Sequence, residues 1–562
     1  MQDTQAAPRA QQGAATAETH DLVIVGAGFA GMYMLHRARQ LGLSARVFEA
    51  GGGVGGTWYW NRYPGARCDV ESMEYSYSFD EDLQRDWRWT ERFAAQPEIL
   101  RYAQHVAERF GLLDGIRFRT RVLGAQYDEA ADLWRVRTRG EDGGKDGGEE
   151  RECSARWLVM ATGCLSSANL PEIPGRDSFE GERFHTGLWP HEGVDFSGKR
   201  VGVIGTGSSA LQSIPIIAEQ SKELVVFQRT ATYAVPARNA PLDPEYEAGI
   251  KADYAAFRAR NRTMQNAFGS MMARNDSSAL AATPEERERA FAERWARGGL
   301  VFLGAFGDLM LDERANDYAA EFVRSRIAET VRDSAIAQKL MPRQIIGCKR
   351  LCIDTGYYET YNRPNVRLVD VSEAPIEAIT PKGVRAGGQE YELDSLVFAT
   401  GFDAMTGSLL KIDIRGRGGV SLRDKWAAGP RTWLGLGIAG FPNMFTVSGP
   451  GSPSVLTNMI VSIEQHVEWI SDCIAYMRAN GHRAIEATPE AEDGWVAHVN
   501  AVADRTLFPG CNSWYLGANV PGKPRVFMPL IGFPDYVAKC DQVAARGYEG
   551  FVFDRAAHAA TA

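Results

Sequence analysis

Two glycine-rich turns hold the residues with the clearest chemical purpose. The first, Gly26-Ala27-Gly28-Phe29-Ala30-Gly31, follows the apolar run Asp21–Val25 and opens a helix-like segment reaching about Gly42; a second strand, Ala45–Phe48, ends at Glu49. Strand, turn, helix and acid-tipped strand make a complete dinucleotide fingerprint. Glycine permits the tight turn and close pyrophosphate approach, the helix N-terminus faces the phosphates, and the acid accepts a hydrogen bond from a ribose hydroxyl. The second turn, Gly205-Thr206-Gly207-Ser208-Ser209-Ala210, follows strand Arg200–Ile204 and puts alanine at the third glycine position. Its helix passes through Ile214–Glu219, and the return strand Leu224–Phe227 ends in Gln228-Arg229-Thr230. A cation where the first unit has an acid is the charge logic of a 2′-phosphate, so this unit is expected to take NADP.

Other residues are chemically suggestive but ambiguous by spacing. Gly51–Ser72 is a second glycine cluster just after the acid-bearing strand, a placement typical of flavin rather than nicotinamide folds. Its rings Trp58, Tyr59, Trp60 and Tyr63 either wall a planar cofactor or pack into the core. Asp69 is either a buried acid that needs a partner or a surface carboxylate on a loop. Lys349-Arg350, after the strand-like Ile345–Ile346, reads as a solvated edge. His185 lies on an aromatic connector, Phe179–Pro190, between the two units, where tying segments together is a plainer role than acid–base chemistry. Gly449–Ser454 precedes an amphipathic helix marked by Ile463, Val467, Ile470, Ile474 and Met477 and ending at Asn480-Gly481. A glycine- and proline-rich turn feeding a helix N-terminus can offer its positive dipole to a ring oxygen.

The elements that must position these groups form an α/β chain with two Rossmann-like dinucleotide-binding domains. At 562 residues the chain is too long for one core, and roughly two to four domains are expected. Strands ending in Ala-Thr-Gly recur at Trp157–Met160 and Leu396–Thr400, marking where the chain leaves and re-enters the first domain. This assigns 21–165 and 395–550 to an FAD-binding domain, and 166–235 and 336–394 to an NADP-binding domain. Residues 236–335 form a helical insertion that shapes a cleft. Within it Thr283-Pro284-Glu285-Glu286 is a helix start with a capping box. Arg139–Arg151 reads as an exposed hairpin tip and Asn512–Asn519 as an aromatic loop. Residues 1–20 read as a disordered tail without the apolar segment of a signal or anchor.

The net charge of −9 gives no basic face for nucleic acid or anionic membrane, and no apolar run approaches the roughly 20 residues that span a bilayer. The eight cysteines include no Cys-x-x-Cys, which argues against a zinc site or a dithiol reductase; they read as buried thiols of a cytoplasmic protein. No metal is expected.

The connector FEGERFHTGLWP matches F-x-G-x-x-x-H-x-x-x-W-P through Phe179, Gly181, His185, Trp189 and Pro190. Set between two nucleotide fingerprints, it closely resembles the type I Baeyer–Villiger monooxygenases, and the resemblance runs from about residue 20 to about 553. GTWYWNRYPGARCDVES, GTGSSALQSIP, GFDAMTGSL and NSWYLGANVPGKPRVFMP look most like the members acting on steroids and aryl ketones. The resemblance implies FAD, NADPH, dioxygen and a bulky, aromatic or cyclic ketone, turned into an ester or lactone by a C4a-peroxyflavin and a Criegee-type rearrangement. Arg350 matches the family's catalytic arginine and Asp69 the acid that pairs with it. The implied FAD contacts are Gly26, Gly28, Phe29, Ala30, Gly31, Glu49, Gly56, Thr57, Trp58, Arg67, Cys68, Asp69, Tyr75, Val122 and Met459. Those for NADP are Gly205, Thr206, Gly207, Ser208, Ser209, Gln212, Arg229, Thr230, Lys349, Arg350 and Trp514. A flavin N- or S-oxygenating enzyme is the nearest alternative. The chain is expected to be a monomer or weak homo-oligomer.

Overall fold

The computed structural model describes residues 18–141, 148–269, 272–518, 520–523 and 532–555. Residues 1–17 of the expected tail, 142–147 of the expected hairpin tip, and 519 and 524–531 of the C-terminal aromatic segment lie outside the described residues.

Leu22, Val23 and Ile24 are fully buried, as a continuous apolar run requires when both faces of a parallel strand are covered. Their strand, Glu18–Val25, pairs in parallel with Ala45–Phe48 on one side and Glu150–Met160 on the other. Glu18, Thr19 and His20 continue this ladder opposite Cys153–Ala155, so the strand starts three residues inside the expected tail. Backbone pairing carries it there, although the side chains are polar. Among the described residues the first sheet has eight strands. Glu150–Met160 is its fork: Leu158–Met160 lies parallel to Met444–Thr446, while its earlier half runs antiparallel to Leu133–Gly140.

A second sheet, with five strands among the described residues, is parallel throughout, in the order Val366–Asp370, Glu223–Gln228, Arg200–Ile204, Ser395–Phe398, Glu182–His185. One expectation changes here. Ser395–Phe398 lies between two strands of this sheet, so the return to the first domain comes after residue 398 rather than at 395. The connector contributes Glu182–His185 as the edge strand of the second sheet.

Ala234–Pro236 and Cys352–Asp354 pair in parallel and bracket the insertion, which therefore extends past residue 335. Helix Pro284–Arg297 carries the expected capping box on Thr283. The insertion straddles both domains: Ile250 and Phe257 join the first domain's core, whereas Phe291, Phe302 and Phe322 join the second's. The expected strand at Ile345–Ile346 is a turn instead, and the strand lies after Arg350. Helix Met459–Ala479 carries the predicted stripe and stops at Asn480. It begins after the Gly449–Ser454 turn, with Asn458 as cap, so that turn does not feed it directly. No helix among the described residues is long and apolar enough to cross a membrane.

Candidate active site

The geometry of the first turn is set by contacts that only glycine tolerates. Gly26 has φ +103°, and a Cβ on Gly31 would lie 1.8 Å from the Gly26 carbonyl oxygen. Gly28 meets the second glycine cluster back to back, since a Cβ on Gly56 would come within 2.8 Å of the Gly28 Cα. Helix Phe29–Gln40 starts on Gly28 without a side-chain cap, leaving its first N–H groups for an external acceptor. Glu49 is buried, and its two carboxylate oxygens accept from the N–H groups of Ala27 and Gly51, each at 2.7 Å. Burial raises its pKa while these two bonds oppose the shift. A carboxylate has further lone pairs, so the same group can also take a ribose hydroxyl. Uncapped helix, glycine cradle and terminal acid fit FAD.

Around this turn, the Trp58 indole N–H donates to the Tyr75 hydroxyl at 3.1 Å. Phe29 and Ala30 point into the core, and Val122 is buried in strand Thr120–Asp128, so any cofactor contact from Phe29 or Ala30 is by backbone. Thr57 is exposed at the start of the short helix Thr57–Trp60, and Met459 is half-buried at the start of its helix. Cys68 is buried, with burial pushing its thiol pKa up. Arg67 donates to Glu91 and to the Phe93 carbonyl, both at 2.7 Å.

In the second unit, helix Ser208–Gln220 begins on Gly207, again without a side-chain cap, and the space a Gly207 Cβ would occupy is open. Thr206 donates to the Thr230 carbonyl at 2.8 Å, Ser208 lies 3.1 Å from the Cys352 sulfur, and Ser209 lies 3.0 Å from Thr186. Arg229 and Thr230 are exposed at the strand end. Lys349 stands near Arg229; burial and then Arg229 lower its pKa. Two neighbouring cations at the end of the second strand, with no acidic partner among the described residues, fit a 2′-phosphate.

Gln212, on the same helix, binds the two domains together. Its carbonyl accepts from the Tyr63 hydroxyl at 2.9 Å, and its amide donates to the Arg67 carbonyl at 3.1 Å. The loop held this way leads directly to Asp69.

Asp69 is a paired acid rather than a surface carboxylate. Arg350 Nε donates to its Oδ2 at 2.5 Å and Nη2 donates to its Oδ1 at 2.9 Å. The third arm, Nη1, donates to the Val455 carbonyl at 2.5 Å. The side chains are 20% and 26% exposed for Arg350 and Asp69. Burial opposes the guanidinium charge, but Asp69 outweighs it and holds the Arg350 pKa above its usual value. The result is a fixed cation where both domains and the insertion's return strand converge.

The connector residues give shape. Phe179 is buried in a core cluster, and Gly181 passes so close to the Asp394 carbonyl that a Cβ would lie 2.5 Å from it. Trp189 packs on Phe184 and Phe196, and Pro190 follows half-buried. His185 Nδ1 accepts from the Gly187 N–H at 3.0 Å, which leaves the proton on Nε2, 3.4 Å from the Thr400 hydroxyl. Burial lowers its pKa, so the ring is neutral and tied to both flanks.

Three features lie beyond the sequence reading. Val455 contributes a backbone carbonyl, for which residue type gives no signal. Tyr515, adjacent to Trp514, is buried against the arginine pocket; burial raises its pKa, and Arg350 opposes the rise. Cys348 and Cys511, expected as thiols, form a disulfide with Cα atoms 5.5 Å apart across 163 residues of sequence. Spacing rules miss such a pair because folding alone brings it together.

Comparison with known proteins adds a chain-wide likeness. Residues 19–243 match the flavin-binding monooxygenase-like family. A Baeyer–Villiger monooxygenase of Pseudooceanicola batsensis is 44% identical over 542 residues, 96% of this chain and 97% of that protein. A phenazine N-monooxygenase of Lysobacter antibioticus is 42% identical over 541 residues, covering 95% and 97%. Among solved structures, oxidized steroid monooxygenase bound to NADP matches with a TM-score of 0.89 and 52% identity, across 96% of this chain and 100% of that one.

Proposed function

The chain belongs to the Baeyer–Villiger monooxygenases of the flavin-binding monooxygenase-like family, and from that premise we propose that it converts a ketone to an ester or lactone with dioxygen and NADPH. FAD and NADPH, when bound, bring the reducing power and oxygen activation that no side chain supplies. We assign FAD to the first sheet, through the Gly26–Gly31 turn, Glu49 and the Gly51–Tyr75 segment. NADP is assigned to the second, through the Gly205–Ala210 turn with Arg229, Thr230 and Lys349 around the 2′-phosphate.

The observation that carries the reading is the Asp69–Arg350 fork. Oxygen insertion beside a carbonyl puts negative charge on the former ketone oxygen, and a preorganised donor there contributes roughly 3–4 kcal/mol. Arg350 suits that task because its guanidinium keeps its charge at any working pH. Asp69 aims it, and the Val455 carbonyl fixes the third arm. Trp514 closes the nucleotide side of the pocket, and His185 holds the connector in register rather than moving a proton.

A bulky, aromatic or cyclic ketone is the proposed substrate class, with selection by the Ser454–Thr457 loop and the insertion. The phenazine N-monooxygenase likeness favours N-oxygenation as the second reading. Ketones, N-heterocycles and sulfides offered in parallel, with NADPH consumption and product mass recorded, separate the two. Ester from ketones supports the first reading; N-oxide with no ester overturns it. We further propose a cytoplasmic enzyme, in keeping with NADPH supply, that works as a monomer or weak homo-oligomer.

A further inference from the structure

The Cys348–Cys511 disulfide ties together the two sides of the arginine pocket. Cys348 lies two residues before Arg350, and Cys511 opens the segment that carries Trp514 and Tyr515. Tyr515 packs in one apolar cluster with Val455, whose carbonyl holds the third arm of Arg350. Both cysteines are buried, in a small cluster with Leu516, Ile345 and Phe508. Among the described residues this segment is also held by the Leu507 N–H bonding the Met310 carbonyl, by a Tyr515–Arg350 side-chain hydrogen bond, and by Lys523 reaching Asp403 and the Ala404 carbonyl. The remaining six cysteines are free thiols. A single disulfide beside a site that handles dioxygen, in a chain of otherwise free thiols, is unusual for a reducing compartment.

We propose that Cys348 and Cys511 are a reversible thiol-oxidation site whose oxidised form clamps the 511–516 wall over the arginine pocket. The inference rests on the activity proposed above. Dioxygen reduced by NADPH without reaching a ketone leaves as hydrogen peroxide, and that peroxide is the oxidant. One thiolate attacks it, breaking the O–O bond to give a sulfenic acid and one water. The second thiol then attacks the sulfenic sulfur, forming the S–S bond and releasing a second water. Two thiols and one peroxide thus give one disulfide and two waters. Reduction by a dithiol proceeds through a mixed disulfide and returns both thiols, with the dithiol oxidised to its own disulfide. With the clamp closed, the enzyme holds NADP and protects its oxygen chemistry; with it open, more NADPH is spent on peroxide. Peroxide therefore feeds back to limit its own production.

The test compares FAD-loaded full-length enzyme as oxidised and after dithiothreitol, with alkylation and peptide mass spectrometry reading the pair. NADP⁺ affinity by titration calorimetry and peroxide formed per NADPH at saturating ketone are the two readouts. Reduction should weaken NADP⁺ binding by about fivefold or more and raise the peroxide share. Peroxide treatment should restore both in the wild type but not in the Cys348→Ser/Cys511→Ser double variant. Should that variant fold poorly, the reduced wild type carries the comparison alone. Equal NADP⁺ affinity in the two redox states, or no linked 348–511 peptide after peroxide, overturns the proposal. Ester formation by oxidised wild type tests the activity separately: its absence removes the monooxygenase reading, whereas redox-indifferent NADP⁺ binding removes only the clamp.

Discussion

Replacing Asp69 by asparagine tests the arginine fork with the smallest change of shape. The wild-type pair has two charge-assisted hydrogen bonds, at 2.5 and 2.9 Å. Asparagine keeps one carbonyl acceptor but turns an N–H donor toward a guanidinium donor, so one bond is lost and the other weakened. Such bonds contribute roughly 1.5–3 kcal/mol each, and the partial exposure of both side chains trims that figure. A loss of about 2 kcal/mol corresponds to roughly a 30-fold slower ester-forming step. Arg350→Ala, which removes the donor itself, should cost about 10²–10³-fold in the same step. Arg350→Lys should fall between them, because it keeps the charge but not the planar fork. Rapid mixing with NADPH follows the loss of flavin absorbance, and quenched samples then report ester. The expected pattern is near-normal flavin reduction with slowed ester formation. If Asp69→Asn makes ester within about threefold of wild type, or slows flavin reduction equally, then the fork does not orient the catalytic cation.

Three further outcomes follow from other sites. Arg229→Ala and Lys349→Ala should each cut the NADPH-over-NADH preference by about 10-fold or more, mostly through KM, since each removes one cation from a 2′-phosphate; a preference unchanged in both variants would refute the assignment. Gly31→Ala should give flavin-free or insoluble protein, because its Cβ would stand 1.8 Å from the Gly26 carbonyl oxygen; recovery of full flavin content would count against the turn geometry. The fully buried His466 has its pKa pushed down by burial to about 3. A depressed folded-state pKa means the unfolded chain takes up the proton first, so stability is fully present above pH 6.5 and is lost as pH falls toward 3. From pH 7.5 to 5 the loss should be about 2 kcal/mol, read as a falling denaturation midpoint in urea, and a His466→Gln variant should show less of it.

Much of the fold could be read from the letters because the informative residues were adjacent. Apolar runs ending in glycine marked Leu22–Val25 and Val201–Ile204, and Thr283 with Glu286 marked a helix start that the structure reproduces. Edge and short strands gave weaker signals. Glu182–His185 spells Glu-Arg-Phe-His because one side of an edge strand meets solvent, and Cys352–Asp354 is only three residues long. Site residues divide in the same way. Backbone-driven positions such as Gly26 and Gly205 were visible by type, whereas Arg350 acquires its meaning from an acid 281 residues away. Its third partner is a main-chain oxygen, and the Cys348–Cys511 link joins residues 163 apart in sequence.

The nesting of the two sheets bears on how the chain is made. Strands of the second sheet run from 182 to 398, within a first domain whose core also needs Ile470 and Tyr536. Tyr33, on the first-motif helix, bonds Glu468 at 3.1 Å, so that helix waits for Met459–Ala479 as its packing partner. At ribosomal speeds of about 5–20 residues per second, the wait is roughly 20–90 s. During this time the inner domain can fold while the outer one keeps a bare apolar face. Nascent chains halted short of that helix are thus clients for chaperones and proteases rather than half-working enzymes.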